Sequence, residues 1–271
     1  MPVTRRTFTA SLAFTLGLAL AGIGTVGAAH ASETIKLGVM GGDEEEIAEV
    51  AQKVAAKNGL DIKLVTFSDY TIPNEALEHG DLDANAFQHK PYLDAQIAAR
   101  GYHIVPIGFT IVEPIAFYSS KVTSFDALPK GATIGIPNDP SNGGRALNLL
   151  AAHGLIKLKD GVGLNPTVLD ITGNPKNVTI KEIDAAQLAK YLPDLDGAII
   201  NTNYAIGAGL NPAKDALIQE SRTNNPYGNF IAVRADDKDK PVFKKLVAAY
   251  QSQEVSDFLA AKFKGAIQPA W

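Results

Sequence analysis

From residue 34 to the C-terminus, short runs of consecutive apolar residues alternate with stretches whose apolar residues recur every three or four positions. Runs of the first kind read as buried strands, and stretches of the second kind as amphipathic helices. Thr34–Met40 is predicted to be a strand, followed by Gly41-Gly42-Asp43 and a helix whose Ile47, Val50 and Val54 share one face until Gly59 stops it. Glu44, Glu45 and Glu46 fall in the first turn of that helix, where acidic side chains complement the helix dipole. Strand Asp61–Phe67, helix Pro73–His79, strand Leu82–Phe87, helix Pro91–Arg100 and strands His103–Phe109 and Ile111–Ser119 follow. A second unit begins near Lys121. It reads as strand Ala132–Ile136, helix Asn142–His153, strands Thr167–Ile171 and Val178–Ile183, helix Ala185–Leu192 and strand Leu195–Asn201. A loop at Asn224–Tyr227, a strand at Asn229–Arg234 and a long helix at Val242–Phe263 close the chain.

Such alternation predicts an α/β fold with mainly parallel sheets. Two units without a long flexible linker predict two lobes joined by extended crossovers, at Glu113–Ser119 and Asn229–Arg234. Lobe 1 is expected to comprise residues 32–118 and 229–271, and lobe 2 residues 119–228. The cleft between two such lobes is the usual place for a small ligand.

The first 31 residues follow a different pattern. Arg5 and Arg6 precede an apolar stretch from Leu12 to Ala29, and Ala29-His30-Ala31 then supplies small residues at the two positions a signal peptidase reads. The stretch is near the spanning minimum of about 18 residues. Gly and Thr dilute it and no basic flank follows, so a signal peptide over residues 1–31, cleaved near Ala31, is expected rather than an anchor. Thr4-Arg5-Arg6-Thr7-Phe8 also resembles a twin-arginine export motif, with general secretion as the alternative.

Composition narrows the chemistry. The 271 residues are 46% hydrophobic, and the net charge is −4, against the basic balance expected of a nucleic-acid binder. The chain has no cysteine, which excludes disulfides, thiolate metal sites and cysteine nucleophiles. The same count predicts that no lipid anchor forms on an N-terminal cysteine, leaving a soluble periplasmic protein.

No nucleophile elbow, zinc-protease helix, Walker loop or dinucleotide-binding glycine pattern is present. No two histidines have chelating helical spacing, so neither catalytic residues nor a metal or cofactor are expected. The densest polar and aromatic cluster is Asn85-Ala86-Phe87-Gln88-His89-Lys90-Pro91-Tyr92, at a strand end before a helix, where α/β folds place ligand groups. On these residues alone His89 reads equally as a core histidine. Arg145 follows Pro140-Ser141-Asn142-Gly143-Gly144 near a helix beginning, where the dipole disfavours a cation and an anionic partner is needed. A surface arginine is the plainer alternative. Asn201 and Asn229, at element ends, also suit turns or caps.

Asp69-Tyr70, the run from Asn85 to Asp94, Pro137-Asn138-Asp139-Pro140 with Asn142 and Arg145, Gly154–Asp160, Ile200-Asn201-Thr202, Pro226-Tyr227 with Asn229, and Ala249–Ser252 occur in order. Together they closely resemble the MetQ/NlpA methionine-binding proteins of bacterial ABC importers, over essentially the whole chain after residue 31. The resemblance implies a two-lobed periplasmic binding protein of type II-like fold, with methionine held between the lobes. It implies ligand contacts from Tyr70, Phe87 and His89 of the first lobe, Arg145 and Asn201 of the second, and Asn229 of the returning crossover. Arg145 is expected to take the α-carboxylate bidentately, the two asparagines the α-ammonium, and the aromatics the thioether.

The resulting expectation is a non-enzymatic, monomeric solute receptor that delivers L-methionine, with D-methionine as a further option, to a membrane permease and its ATPase. A receptor for another small amino acid, a methionine derivative or a short peptide is the alternative within the class. An exported enzyme using the same cleft, with His89 as its reacting group, is the alternative outside it.

Overall fold

The computed structural model describes residues 1–2 and 33–271. The signal peptide expected over residues 1–31, with Arg5, Arg6 and Ala29–Ala31, lies outside the described residues apart from Met1 and Pro2.

A βαβ unit opens the fold: β1 (Glu33–Met40), α1 (Asp43–Lys57) and β2 (Leu60–Phe67), with β1 and β2 in parallel register along their length. After α2 (Pro73–Glu78), strand β3 (Ala84–His89) pairs in parallel with β1, and α3 (Lys90–Arg100) leads to β4 (Ile104–Val112). The chain then enters a second sheet through β5 (Ala116–Tyr118), β6 (Thr133–Pro137) and α4 (Pro140–Ala152). A small pair, β7 (Lys157–Leu158) and β8 (Ile171–Gly173), precedes β9 (Thr179–Ile183), α5 (Leu188–Tyr191), β10 (Gly197–Ile200), α6 (Thr202–Gly207), α7 (Pro212–Asp215) and β11 (Ile218–Gln219). Finally β12 (Gly228–Arg234) returns to the first sheet, and α8 (Pro241–Tyr250), α9 (Gln253–Phe263) and β13 (Gln268–Pro269) end the chain.

The six-stranded sheet has the order β13-β4-β12-β3-β1-β2, and the five-stranded sheet the order β11-β5-β10-β6-β9. One face of the first sheet is covered by α1, α8 and α9, where Leu37, Ile62 and Ile231 meet Ile47, Leu246 and Leu259. Its other face packs Leu77, Leu93 and Phe230. The second sheet buries Phe117, Ile134 and Ile199 with Leu147 and Leu150 of α4, and on the other side Leu188 and Ile200. Each such side chain contributes roughly 1.5–3 kcal/mol through burial, so each sheet has a core of its own.

Several expectations change. The sheets are mixed rather than mainly parallel: β1, β2 and β3 are parallel, as are β6, β9 and β10, but β4, β5, β11, β12 and β13 pair antiparallel. The cause is the passage between sheets, which lets a strand re-enter in the opposite direction without a helical crossover. The outgoing crossover is shorter than Glu113–Ser119, because Ala116–Tyr118 already pairs with β10. The returning one precedes Asn229, since β12 lies wholly in the first sheet. Val168–Asp170 is a 3₁₀ turn where a strand was expected, and Val242–Phe263 is two helices that part at Gln251–Ser252.

Candidate functional site

β3 is buried at all six positions and carries Phe87 and His89 to its C-terminal end. His89 caps α3: its Nδ1 accepts the Tyr92 backbone N–H at 3.2 Å. A backbone N–H only donates, so the ring proton sits on Nε2, which donates to Asn142 Oδ1 at 3.2 Å. Burial, and then the neighbouring Arg145 charge, push the imidazole down to about 3, so it is neutral at physiological pH. Both ring nitrogens are thereby committed. Tyr70, in the loop after β2, lies against Phe87 at 6.1 Å, Tyr92 at 5.9 Å and Tyr204 at 4.9 Å between ring centres. Its hydroxyl donates to Asn203 Oδ1 at 2.6 Å, joining the segment after β2 to α6.

The second sheet supplies α4. Asp139 is its N-cap and accepts from the Asn142 N–H at 2.9 Å, and Asp139 Oδ2 accepts from Asn142 Nδ2 at 3.0 Å. The Asn142 amide is thus fixed with its oxygen outward, accepting from His89 and from Asn201 Nδ2 at 3.1 Å. Asn201 Oδ1 is left buried with no partner among the described residues.

Arg145 is the sixth residue of α4, in its second turn, and is 3% exposed. The anion it was expected to find in a ligand comes first from the protein. Its Nε donates to Glu220 Oε1 and Oε2, each at 3.1 Å, and its Nη2 donates to Glu220 Oε2 at 2.6 Å and to the Glu113 carbonyl at 2.8 Å. The guanidinium carbon stands 4.1 Å over the Tyr227 ring. Nη1 is the edge with no protein partner among the described residues.

Tyr70, Phe87, His89, Arg145, Asn201 and Asn229 all line one cavity of about 20 Å³. That is roughly the room one or two waters need, so a ligand of amino-acid size enters only as the two sheets move apart. Glu44, Glu113 and Asn142 line it as well. The acids were not expected there. Glu44 was read as a dipole-complementing residue in the first turn of α1, yet it is 5% exposed; its neighbour Asp43 is 4% exposed and Glu113 9%. Burial pushes Asp43 up to about 6 and holds Glu44 and Glu113 well above the usual carboxylate range. Glu220 gave no signal in the sequence because it meets Arg145 from 75 residues away. Asn142 did have one: it stands inside the Asn-Asp-Pro…Arg segment.

Two mixed α/β sheets with a polar cavity between their strand ends make the two-lobed fold of periplasmic substrate-binding proteins. A family model described as NlpA lipoprotein matches residues 35–271, and the chain belongs to that family. It is 53% identical over 269 residues to the D-methionine-binding lipoprotein MetQ of Salmonella typhimurium, covering 98% of each chain. A nutrient binding protein from Burkholderia cenocepacia, solved bound to methionine, is 54% identical with a TM-score of 0.85, covering 88% of this chain and 100% of that one. An ABC transporter periplasmic substrate-binding protein from Coxiella burnetii is 50% identical with a TM-score of 0.84, covering 87% and 100%.

These relatives overturn one expectation. The family is one of lipoproteins and the Salmonella protein is named as one, so the inference from zero cysteines to a chain with no lipid anchor is withdrawn. Among the described residues, no helix is long and apolar enough to cross a membrane.

Proposed function

We propose that this chain is a receptor outside the cytoplasm that binds methionine and passes it to the permease and ATPase of an ABC importer. One observation carries the reading: a single cavity holds a free edge of Arg145, the unpartnered Asn201 Oδ1 and an aromatic wall of Tyr70 and Phe87. Those are the partners required by a carboxylate, an ammonium and a thioether side chain. Relatives above half identity named or solved for methionine supply the ligand. Asn229 and His89 complete the wall. The committed nitrogens of His89 favour binding over catalysis, since a general base needs a free lone pair facing its substrate.

The lobes we assign are residues 33–112 with 228–271, and 116–219, joined by 113–115 and 220–227. Each follows the sheet to which its strands belong. The N-terminal pattern supports export and cleavage near Ala31, with the Arg5-Arg6 pair favouring the twin-arginine route.

Native mass spectrometry of the protein recovered from the periplasm tests both parts, because the intact mass gives the cleavage position and any co-purified ligand. Calorimetry then compares L- and D-methionine with other amino acids. Arg145→Ala is expected to weaken methionine at least about a hundredfold, with folding verified by circular dichroism. Unchanged affinity in that variant sinks the assignment.

A further inference from the structure

Asp43 and Glu44 at the start of α1 meet Glu113 from the segment after β4 as three buried carboxyls in one place. Their internal bonds do not satisfy them. Asp43 Oδ1 accepts from the Glu44 N–H at 2.9 Å and Glu44 Oε2 accepts from the Met40 N–H at 3.3 Å, while Asp43 Oδ2 has no partner among the described residues. Glu113 Oε1 remains without a partner, on a residue that lines the ligand cavity beside Glu44. A second observation comes from the other sheet. Asn201 is 7% exposed, lines the same cavity, and its Oδ1 likewise has no donor.

Buried acceptors left unpaired are costly unless a ligand supplies the missing donors. A primary ammonium has three hydrogens and no acceptor, which matches Asn201 Oδ1 and a Glu113 carboxylate that has given up its proton. We infer that Glu113 and Glu44 are specificity-determining residues which, with Asn201 Oδ1, form the subsite for the primary ammonium of the ligand, and that the carboxyl proton of Glu113 leaves as that ammonium arrives.

The inference rests on the receptor reading above and says which part of the ligand is recognised by charge. The Glu113 O–H bond breaks, the proton passes to bulk water, and the carboxylate left behind faces the R–NH₃⁺ group. Arg145 from α4 faces Glu113 and favours that ionisation, while the Asp43 and Glu44 carboxyls oppose it. Lys262 of α9 acts on Asp43, and the Tyr250 hydroxyl of α8 faces Glu44. Tyr70, raised in part by Glu44 and Glu113, and the neutral His89 add no charge. Methionine affinity therefore rises with pH until Glu113 ionises in the ligand-free protein, and compounds lacking the amine are refused.

Calorimetry on the purified protein at pH 6.5, in phosphate and in imidazole buffer, reads the proton directly. The ligands are methionine, its amine-free analogue 4-(methylthio)butanoate and N-acetylmethionine. Wild-type protein is expected to release up to about one proton per methionine and to bind the other two at least about a hundredfold more weakly. Glu113→Gln is expected to abolish the release and to reduce the preference for methionine about tenfold or more, with Glu44→Gln as the second variant. Buffer-independent heats in the wild type overturn the inference without needing a folded variant, as does an unchanged preference in both variants. Either result leaves methionine binding intact. Failure of the wild type to bind methionine at all refutes the receptor reading itself, and the inference with it.

Discussion

Arg145 is held in place by the protein itself. Glu220 occupies its Nε and part of Nη2, the Glu113 carbonyl takes another Nη2 hydrogen, and Tyr227 lies across its face. A buried guanidinium with these partners keeps one orientation and presents Nη1 to the cavity. Removing one side of a buried ion pair leaves an uncompensated charge, at a cost of roughly 3–5 kcal/mol. Glu220 is only partly buried, so Glu220→Gln is expected to cost the ligand-free protein roughly 2–3 kcal/mol. A ligand carboxylate restores an anion to Arg145, so methionine should stabilise this variant more than it stabilises the wild type. Urea unfolding with and without methionine measures both effects. Equal midpoints for variant and wild type would show that Glu220 does not hold Arg145.

Among the elements, α4 does most to place the site. Asp139 caps it, Pro140 starts it, and Gly144 lets it lie against the loop at Leu164 and Asn165. A Cβ on Gly144 would come within 2.6 Å of Asn165 Cα and 2.7 Å of the Leu164 carbonyl oxygen. Both neighbours are backbone, so the helix must move and carry Arg145 with it. Gly144→Ala should therefore cost about 1–3 kcal/mol and weaken methionine binding, whereas alanine in an open helix position is stabilising. A melting temperature at or above that of the wild type would refute the close approach. Much at this scale was legible in advance. The cap and proline of α4, Gly101 after α3 and the buried run of β3 each act through neighbours in sequence. Thr167–Ile171 was misread because apolar spacing alone does not separate a strand from a turn in which Thr167 donates twice to the Asp170 carboxylate. The break between α8 and α9 did carry a signal, since Ser252 caps the second helix by accepting from the Val255 N–H. His89 and Arg145 were visible through local motifs. Their partners Asn142 and Glu220, 53 and 75 residues away, are set by how the two sheets meet, which periodicity does not encode.

At the scale of the whole molecule, the buried acids set the dependence of stability on pH. Asp43, Glu44 and Glu113 all lie above their ordinary values, so in this region the folded protein binds more protons than the unfolded chain. Stability from such groups is fully present below about pH 4 and is lost as pH rises through their folded values, the first being about 6 at Asp43. Moving Asp43 from 3.8 to about 6 corresponds to roughly 3 kcal/mol at most. Asp170, Asp196 and Asp237 lie below their ordinary values and act with the opposite sign, but they titrate below about pH 4, outside this window. The exposed His103–Glu78 pair raises His103 and so shares the sign of the cluster, with a weight that solvent screens. His89, pushed down to about 3, acts with the opposite sign between about pH 3 and 6.5, because the unfolded imidazole takes up a proton there and the folded one does not. The slope of the ligand-free protein between pH 5 and pH 8 is therefore the balance of the acid cluster and His103 against His89. Glu113→Gln should move that balance toward pH 8 and be the more stable form there, while leaving the contributions of both histidines untouched. Denaturant unfolding of both proteins at the two pH values separates the sources. A slope equal in wild type and variant would assign it to His89 and His103 and remove Glu113 from the account.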